Sequence, residues 1–270
     1  MNAQEILTLF EENTTIATIV SSLENNSRAI KIKGLSGSAD VIVCSSVIQR
    51  MDRPFLVILH DREEADFFHN DVVNLLGSEN CSLFPSSYKR PYQYDEIENA
   101  NILQRSETLN AINKNEKHLV ISYPEALIEK VINKRSLIEN TFTASVGEKL
   151  DVDFLSELFL TYDFEKTDFV YEPGQFAVRG GIIDVYSFAS NLPARLELFG
   201  DEIESIRTFD AESQLSMGSL SEITIIPNTQ TRMLKEERQS LLDYLPKTAV
   251  VWIKDFRETV DIIDRGYEKA

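Results

Sequence analysis

Apolar residues in the first half of the chain follow two different periods. Residues 1–28 carry them at helical spacing, whereas residues 29–33 alternate apolar and polar side chains, which predicts a strand before a helix near 38–50. The continuous apolar runs FLVILH (55–60) and HLVISY (118–123) are typical of strands buried on both faces. Further helices are predicted over 63–76 and 95–114 and from Pro124, and a short strand over 82–84. This alternation predicts a parallel, doubly wound sheet.

The pattern changes after about residue 140. A predicted helix over 153–164 leads into short extended runs that are separated by turn signals such as Pro-Gly and Gly-Gly. Closely spaced runs of this kind predict an antiparallel sheet. The runs are TDFVYE (167–172), QFAVRG (175–180), GIIDVYS (181–187), ARLELFG (194–200), EIESIRTF (202–209) and EITIIPN (222–228).

The last part of the chain returns to the first pattern, with a predicted helix near 232–243 and the apolar strand AVVWI (249–253). We therefore predict an α/β protein. Its parallel α/β domain comes in two pieces, 1–140 and 228–270, interrupted by an inserted antiparallel α+β domain over 141–227. Because the chain stops inside a helical pattern without a cap, we expect it to be part of a longer protein.

Composition excludes several classes of protein. No apolar run approaches the roughly 18 residues of a membrane span, and the N-terminal residues lack the order of a signal peptide, so we expect a cytoplasmic protein without a membrane partner. Cys44 and Cys81 stand alone in apolar surroundings and are predicted to be small buried residues. The three histidines show no ligand spacing, so no metal is expected.

The net charge of the chain is −17, from 44 acidic and 27 basic residues. Proteins that hold nucleic acid through phosphate contacts usually present a basic face, and a field of this sign opposes such contacts. We therefore expect no direct binding of DNA.

The segment GLSGSADV (34–41) stands between a predicted strand and a helix, where a phosphate loop would lie. In the pattern G-x-x-x-x-G-K-[ST], Ala39 replaces the second glycine, Asp40 the lysine and Val41 the hydroxyl residue. Asp40 would repel a polyphosphate, and Val41 cannot bind a metal ion. An ordinary tight turn and a degenerate phosphate loop both remain open. The residues of the loop are Gly34, Gly37, Ala39, Asp40 and Val41.

Residues 173–216 (PGQFAVRGGIIDVYSFASNLPARLELFGDEIESIRTFDAESQLS) resemble a signature segment of two bacterial families. These are the transcription-repair coupling factors and UvrB, the helicase subunit of nucleotide excision repair. Weaker similarity extends over the chain from about residue 29. The resemblance implies a helicase-like parallel α/β domain with an inserted domain, as in the N-terminal UvrB-like module of the coupling factors.

The sequence differs from that of an active helicase in three places. UvrB has an intact phosphate loop at the position of 34–41, whereas the coupling factor module has lost its ATPase residues, so the resemblance implies a non-catalytic module without a cofactor. A helicase would place Asp and Glu after strand 249–253, where Lys254 and Asp255 stand. The segment 83–100 has no room for the DNA-clamping hairpin of UvrB. The tyrosines of this segment are Tyr88, Tyr92 and Tyr94. They could stack on nucleic-acid bases, but the acidic helix beside them favours a role as packing residues of a surface loop.

In both families the inserted domain resembles the docking site for UvrA, the damage-recognition ATPase. By the match of motifs, Arg179, Arg195, Glu197 and Phe199 fall where the families make their contacts, and Ala177 stands where UvrB carries a further arginine. Strand alternation places Arg195, Glu197 and Phe199 on one face. Arginine and aromatic side chains dominate the energetics of interfaces, and exposed ones can be truncated with little effect on folding.

The alternative for these arginines is a solvated strand face with cross-strand ion pairs to Asp184 or Glu202. The leading hypothesis for the whole chain is a module that recruits UvrA to stalled transcription. In this hypothesis the module also packs against the remaining domains of the full-length factor, which mask the UvrA site until the motor of that factor engages. The second hypothesis is an active nucleotide-dependent helicase subunit, against which Asp40 and Val41 argue.

Overall fold

The computed structural model of the chain describes residues 3–11, 13–25, 29–87, 99–114, 117–133, 141–188, 190–226 and 238–269. The helices are α1 (Ala3–Glu11), α2 (Thr14–Glu24), α3 (Ala39–Arg50), α4 (Arg62–Leu76), α5 (Asn99–Lys114), α6 (Pro124–Ile128), α7 (Val152–Thr161), α8 (Leu241–Tyr244) and α9 (Phe256–Lys269).

The strands follow the same chain order. They are β1 (Phe55–Ile58), β2 (Cys81–Leu83), β3 (Leu119–Ser122), β4 (Val131–Ile132), β5 (Phe142–Ser145), β6 (Glu165–Lys166), β7 (Gln175–Arg179), β8 (Ile182–Val185), β9 (Ala194–Phe199), β10 (Glu202–Phe209), β11 (Ser216–Leu220), β12 (Glu222–Ile225), β13 (Arg238–Gln239) and β14 (Val250–Ile253).

The chain divides into two compact units. The first unit contains Met1–Pro85, Ala111–Ile128 and Leu245–Ala270, and the second contains Ser86–Asn110 and Glu129–Tyr244. The domain limits proposed from the sequence, after residues 140 and 227, remain a prediction.

The first unit holds a parallel sheet in the order β14-β1-β3-β2. Every pair in it is parallel, with Phe55 opposite Val250 on one side and Leu119 on the other. All residues of β1 and β3 are buried, which explains their continuous apolar sequences. The predicted parallel α/β fold is confirmed. Among the described residues, no helix is both long enough and apolar enough to cross a bilayer.

The prediction of a strand over residues 29–33 is wrong. The segment has no strand structure. Ile30 and Ile32 instead line a cleft of about 510 Å³ that is bounded on another side by the residues of β14. The alternating pattern therefore reflects side chains that face this cleft, without the backbone pairing that would make a strand.

The second unit is built on a six-stranded sheet in the order β11-β10-β9-β8-β7-β6. It is antiparallel, as predicted, except for the short parallel pair β6–β7. Helix α7 supplies Leu155 and Phe159 to its core, and the ring of Phe159 lies 5.1 Å from that of Phe176 on β7. One side of the sheet is thus covered by a hydrophobic core.

Two further sequence predictions in this unit need correction. Residues 167–172 form a loop rather than a strand, because the Gln175 side chain accepts hydrogen bonds from the backbone N–H groups of Tyr171 and Glu172 and bends the chain. The helix predicted near 232–243 falls partly outside the described residues. Within them, Arg238 and Gln239 pair with β4, and the helix is limited to α8. Tyr88, Tyr92 and Tyr94 lie outside the described residues.

Candidate protein-binding face

Strands β7 to β10 turn alternate side chains toward the core and away from it. On β9, Ala194 and Leu196 belong to the core, whereas Arg195 and Glu197 are partly exposed and Phe199 is exposed. The predicted alternation of β9 is confirmed. The side of the sheet opposite the core is called the outer face below. The outer face carries Ala177, Arg179, Ile182, Asp184, Arg195, Glu197, Phe199, Ser205 and Arg207.

Asp184 lies at the centre of the outer face. It is opposite Arg195 on one neighbouring strand and Ala177 on the other. Arg195 forms a bidentate pair with the carboxylate of Asp184, in which Nε donates to Oδ1 at 2.7 Å and Nη2 donates to Oδ2 at 2.9 Å. Arg179 donates to Oδ2 through its Nη2. The two predicted arginines are therefore brought together on one carboxylate, which is fully buried beneath them.

Both guanidinium groups also stack on aromatic rings. The Cζ atom of Arg195 lies 4.6 Å from the ring centre of Phe209, which is buried in a small second core with Val170 and Ala177. Cζ of Arg179 lies 5.1 Å from the ring centre of Phe169. The hydrogen bond with Asp184 raises the pKa of Arg195, so this side chain stays charged. Each arginine is held at its edge by a carboxylate and at its face by a ring.

The position of Arg195 changes what its truncation is expected to do. The sequence alone suggested that the arginines could be replaced with little effect on folding. Because Arg195 covers and neutralises the buried Asp184, its loss leaves that carboxylate with Arg179 as its remaining guanidinium partner. The expectation of unchanged folding therefore applies to Phe199 and no longer to Arg195, nor to Arg179, which bonds the same buried carboxylate.

Glu197 forms a second ionic pair on the outer face. Its Oε2 accepts a hydrogen bond from Ser205 Oγ at 2.9 Å, and its Oε1 accepts one from Arg207 Nη2. These contacts, led by the Ser205 hydroxyl, lower the pKa of Glu197. Glu197 thus presents an ionised carboxylate beside the two stacked arginines.

Phe199 ends strand β9 at the rim of the outer face. Its ring is largely uncovered, with 80% of the residue exposed. The residue lies opposite Glu202 across a two-residue hairpin turn, in which Gly200 has φ +68°. Glycine adopts this conformation without steric cost, so the chain can reverse direction directly after Phe199. An exposed aromatic side chain is well suited to a binding surface.

The loop over residues 34–41 has the following geometry in the first unit. Gly34 and Gly37 have φ values of +87° and +56°, and α3 begins at Ala39. Asp40 is buried and accepts a hydrogen bond from Lys254 Nζ, while Val41 is buried in the core. The loop therefore holds a carboxylate that is paired with a lysine from the end of β14.

Lys254 contacts a second carboxylate as well. Its Nζ lies 3.4 Å from Oε1 of Glu64 on α4. Partial burial by itself lowers the pKa of Lys254, but the hydrogen bond and charge of Asp40, together with Glu64, raise the pKa overall. The ammonium group is thus kept charged and engaged within the protein. Sequence reasoning did not predict this pair, because Asp40 and Lys254 are far apart in the chain.

Both cysteines and His118, which could in principle bind a metal ion, have buried structural positions. Cys44 and Cys81 are free and buried, as predicted, and burial raises the pKa of both thiols. His118 is buried against Ser82, and burial lowers its pKa to about 4, so it is neutral at physiological pH. In the part of the chain that is described, no three His, Cys, Asp or Glu side chains are placed to hold a metal ion.

Comparison with known proteins gives matches of two kinds, one to a family model and others to individual proteins. Residues 142–230 match the family model of the UvrB interaction domain. The chain is also similar to transcription-repair-coupling factors, with 26% identity to that of Bacillus subtilis over 93% of this chain and 21% of the relative. The factor of Myxococcus xanthus is 30% identical over 82% of this chain and 19% of the relative. The chain therefore spans about a fifth of the length of these relatives, and the resemblance predicted from its sequence is confirmed.

Proposed function

We propose that this chain is a non-catalytic docking module that binds UvrA through the outer face, and that it recruits UvrA for the repair of DNA at stalled transcription complexes. The main support for the proposal is the position of the outer face within the chain. The match to the UvrB interaction domain covers 142–230, and this range contains every strand of the outer face. The similarity to transcription-repair-coupling factors supports the link to transcription.

The chemistry of the outer face supports docking of a protein surface. Arg195 directs Nε and Nη2 toward Asp184. Within the described residues its Nη1 donates to no protein group, so the N–H groups of Nη1 can reach acceptors on a partner. Planar guanidinium groups that are already fixed lose little freedom on binding. Arginine and aromatic side chains are also the residues that dominate interface energetics. Arg179, Arg195, Glu197 and Phe199 are the proposed contacts.

Competition between this chain and UvrB tests the proposed function. If the chain uses the same site on UvrA as a UvrB interaction domain does, purified UvrB should displace labelled chain from UvrA in an anisotropy measurement. Unlabelled chain should displace it equally well, and serum albumin at the same concentration should not. Failure of UvrA to change the anisotropy of the labelled chain at all would contradict the proposal.

We expect the chain neither to bind nor to hydrolyse ATP. Asp40 would repel the phosphates, Val41 offers no oxygen to Mg²⁺, and Lys254 is already engaged by two carboxylates. Titration with a fluorescent ATP analogue and Mg²⁺ should give no saturable signal. The Asp40→Lys variant should behave in the same way, because Val41 still cannot ligate the metal. Saturable micromolar binding by the wild-type chain would favour the second candidate, an active helicase subunit.

The chain alone is not expected to hold duplex DNA at physiological salt. Its net charge of −17 repels the phosphate backbone. Anisotropy titrations of a labelled duplex should show no submicromolar complex, and lowering the salt concentration should not reveal one. A tight complex with a steep dependence on salt would show that a local basic surface overcomes the net charge.

In a protein as long as the relatives, we propose that the remaining domains cover the outer face until UvrA is needed. This proposal rests on the length of the relatives, of which the chain spans about a fifth. A longer protein should then bind UvrA more weakly than this chain does. Equal affinities in parallel titrations would remove the masking role and leave the docking role intact.

A further inference from the structure

Asp184 occupies an unusual place on the outer face. Its neighbours on that face, Arg179 and Arg195, are partly exposed, whereas Asp184 itself is fully buried. It accepts three hydrogen bonds from two arginines, and these arginines come from the strands on either side of it. Directly opposite Asp184 on β7 stands Ala177, a small and buried side chain.

We propose that Asp184 is a positioning residue that sets the orientation of Arg179 and Arg195 for docking. The proposal rests on the proposed function, since it concerns the same outer face. A carboxylate has two oxygens, and the bidentate grip of Arg195 fixes the plane of its guanidinium group. Arg179 shares Oδ2, so one carboxylate fixes both side chains relative to each other. Asp184 itself lies beneath them and does not contact the partner.

The stacking contacts complete this arrangement. Phe209 supports Arg195 and Phe169 supports Arg179, while a backbone carbonyl, that of Asp168, accepts from Arg179 Nη1 at 2.6 Å. Long side chains lose conformational freedom when they bind, and a side chain that is already held loses less. Holding two arginines in this way corresponds to roughly a ten- to a hundredfold gain in affinity.

Stability alone does not account for a carboxylate at this place. A buried ion pair contributes little net stability relative to well-packed apolar residues of the same volume. The outer face already contains a small cluster of packed apolar residues, formed by Phe209, Val170 and Ala177. What Asp184 adds is a fixed direction for two charged groups that stay accessible at the surface.

The Asp184→Asn variant tests the proposal in a double-mutant cycle. It should weaken UvrA binding by roughly tenfold or more, with an effect that disappears in a chain that also carries Arg179→Ala and Arg195→Ala. Glu157→Gln serves as the matched control, because it removes one exposed negative charge from α7 in the same unit. A purely structural role predicts the same loss of affinity in both backgrounds, and that result would overturn the proposal, as would wild-type affinity of Asp184→Asn.

A second readout does not depend on UvrA. In nitrogen-15 spectra of the free chain, the Nε–H of Arg195 should exchange slowly with water, and Asp184→Asn should accelerate the exchange at least severalfold, unlike Glu157→Gln. Unchanged exchange would overturn the proposal. If the wild-type chain did not bind UvrA, the proposed function would fail, while this measurement would still decide whether Asp184 holds the arginine. Should Asp184→Asn not fold, Asp184→Glu, which keeps the charge but moves the carboxylate, replaces it in both experiments.

Discussion

Truncation of Phe199 to alanine is expected to weaken UvrA binding by about 1–4 kcal/mol, the range typical of an aromatic anchor at an interface. Its effect on the free energy of unfolding should stay within about 0.5 kcal/mol. The reason for this difference is exposure. Because 80% of the residue is exposed in the free chain, the ring contributes little to the core but is available to a partner.

Two variants provide controls for Phe199→Ala. Phe154→Ala removes another exposed ring, on α7 of the same unit, and should change neither affinity nor stability appreciably. Phe159→Ala removes a fully buried ring of the main core, away from the outer face, and should cost about 3–5 kcal/mol of stability. Calorimetric titrations and thermal melts of the three variants separate the two effects. A lowered melting temperature with normal binding of Phe199→Ala would place this residue in the core and contradict its assignment.

The Arg195→Ala variant is expected to lose both binding and stability. Loss of an arginine anchor should weaken UvrA binding by about 2–4 kcal/mol. Removal of its two hydrogen bonds from the buried Asp184 should in addition lower the free energy of unfolding by about 1–3 kcal/mol. Arg179 remains as a partner for that carboxylate, so the variant should still fold.

Arg257→Ala is the matched control for Arg195→Ala, because it removes an exposed guanidinium group from α9 of the first unit. It should bind UvrA like the wild-type chain. Denaturant unfolding gives the stability of each variant, and affinity is measured at a temperature where both are folded. Wild-type affinity of Arg195→Ala, together with reduced stability, would identify Arg195 as a purely structural ion-pair partner.

The sequence predicted the parts of the fold that depend on local pattern. Continuous apolar runs indicated β1 and β3 because both faces of these strands are buried. Turn signals and short extended runs indicated the antiparallel sheet. Strand β11 was missed because its sequence, SMGSL, is exposed on both faces and has neither alternation nor a continuous apolar run.

The candidate site was predictable only in part. Alternation along β9 placed Arg195, Glu197 and Phe199 on one face, but the arrangement around Asp184 depends on the register of three strands. Register is set by the packing of the whole sheet, and a single strand's sequence does not specify it. The sequence indicates Asp184 as a possible ion-pair partner of the arginines, whereas nothing in it marks Phe169 and Phe209 as the rings on which they stack.

The pair of Asp40 and Lys254 could not be predicted for a similar reason, since it depends on how distant parts of the chain are arranged. The sequence indicated that Asp40 is unsuited to a phosphate, but only the parallel sheet places the end of β14 next to the start of α3 and brings Lys254 to it. Long-range pairs of this kind follow from topology. They therefore become visible once the order of the strands is known.

Direct titration of purified UvrA into the wild-type chain and into an Arg195→Ala/Phe199→Ala double variant tests the central claim, docking of UvrA on the outer face. The wild-type chain should give a saturable binding isotherm, and the folded double variant should bind at least about a hundredfold more weakly. Equal affinity of the two chains, or the absence of any binding to the wild-type chain, would contradict the claim.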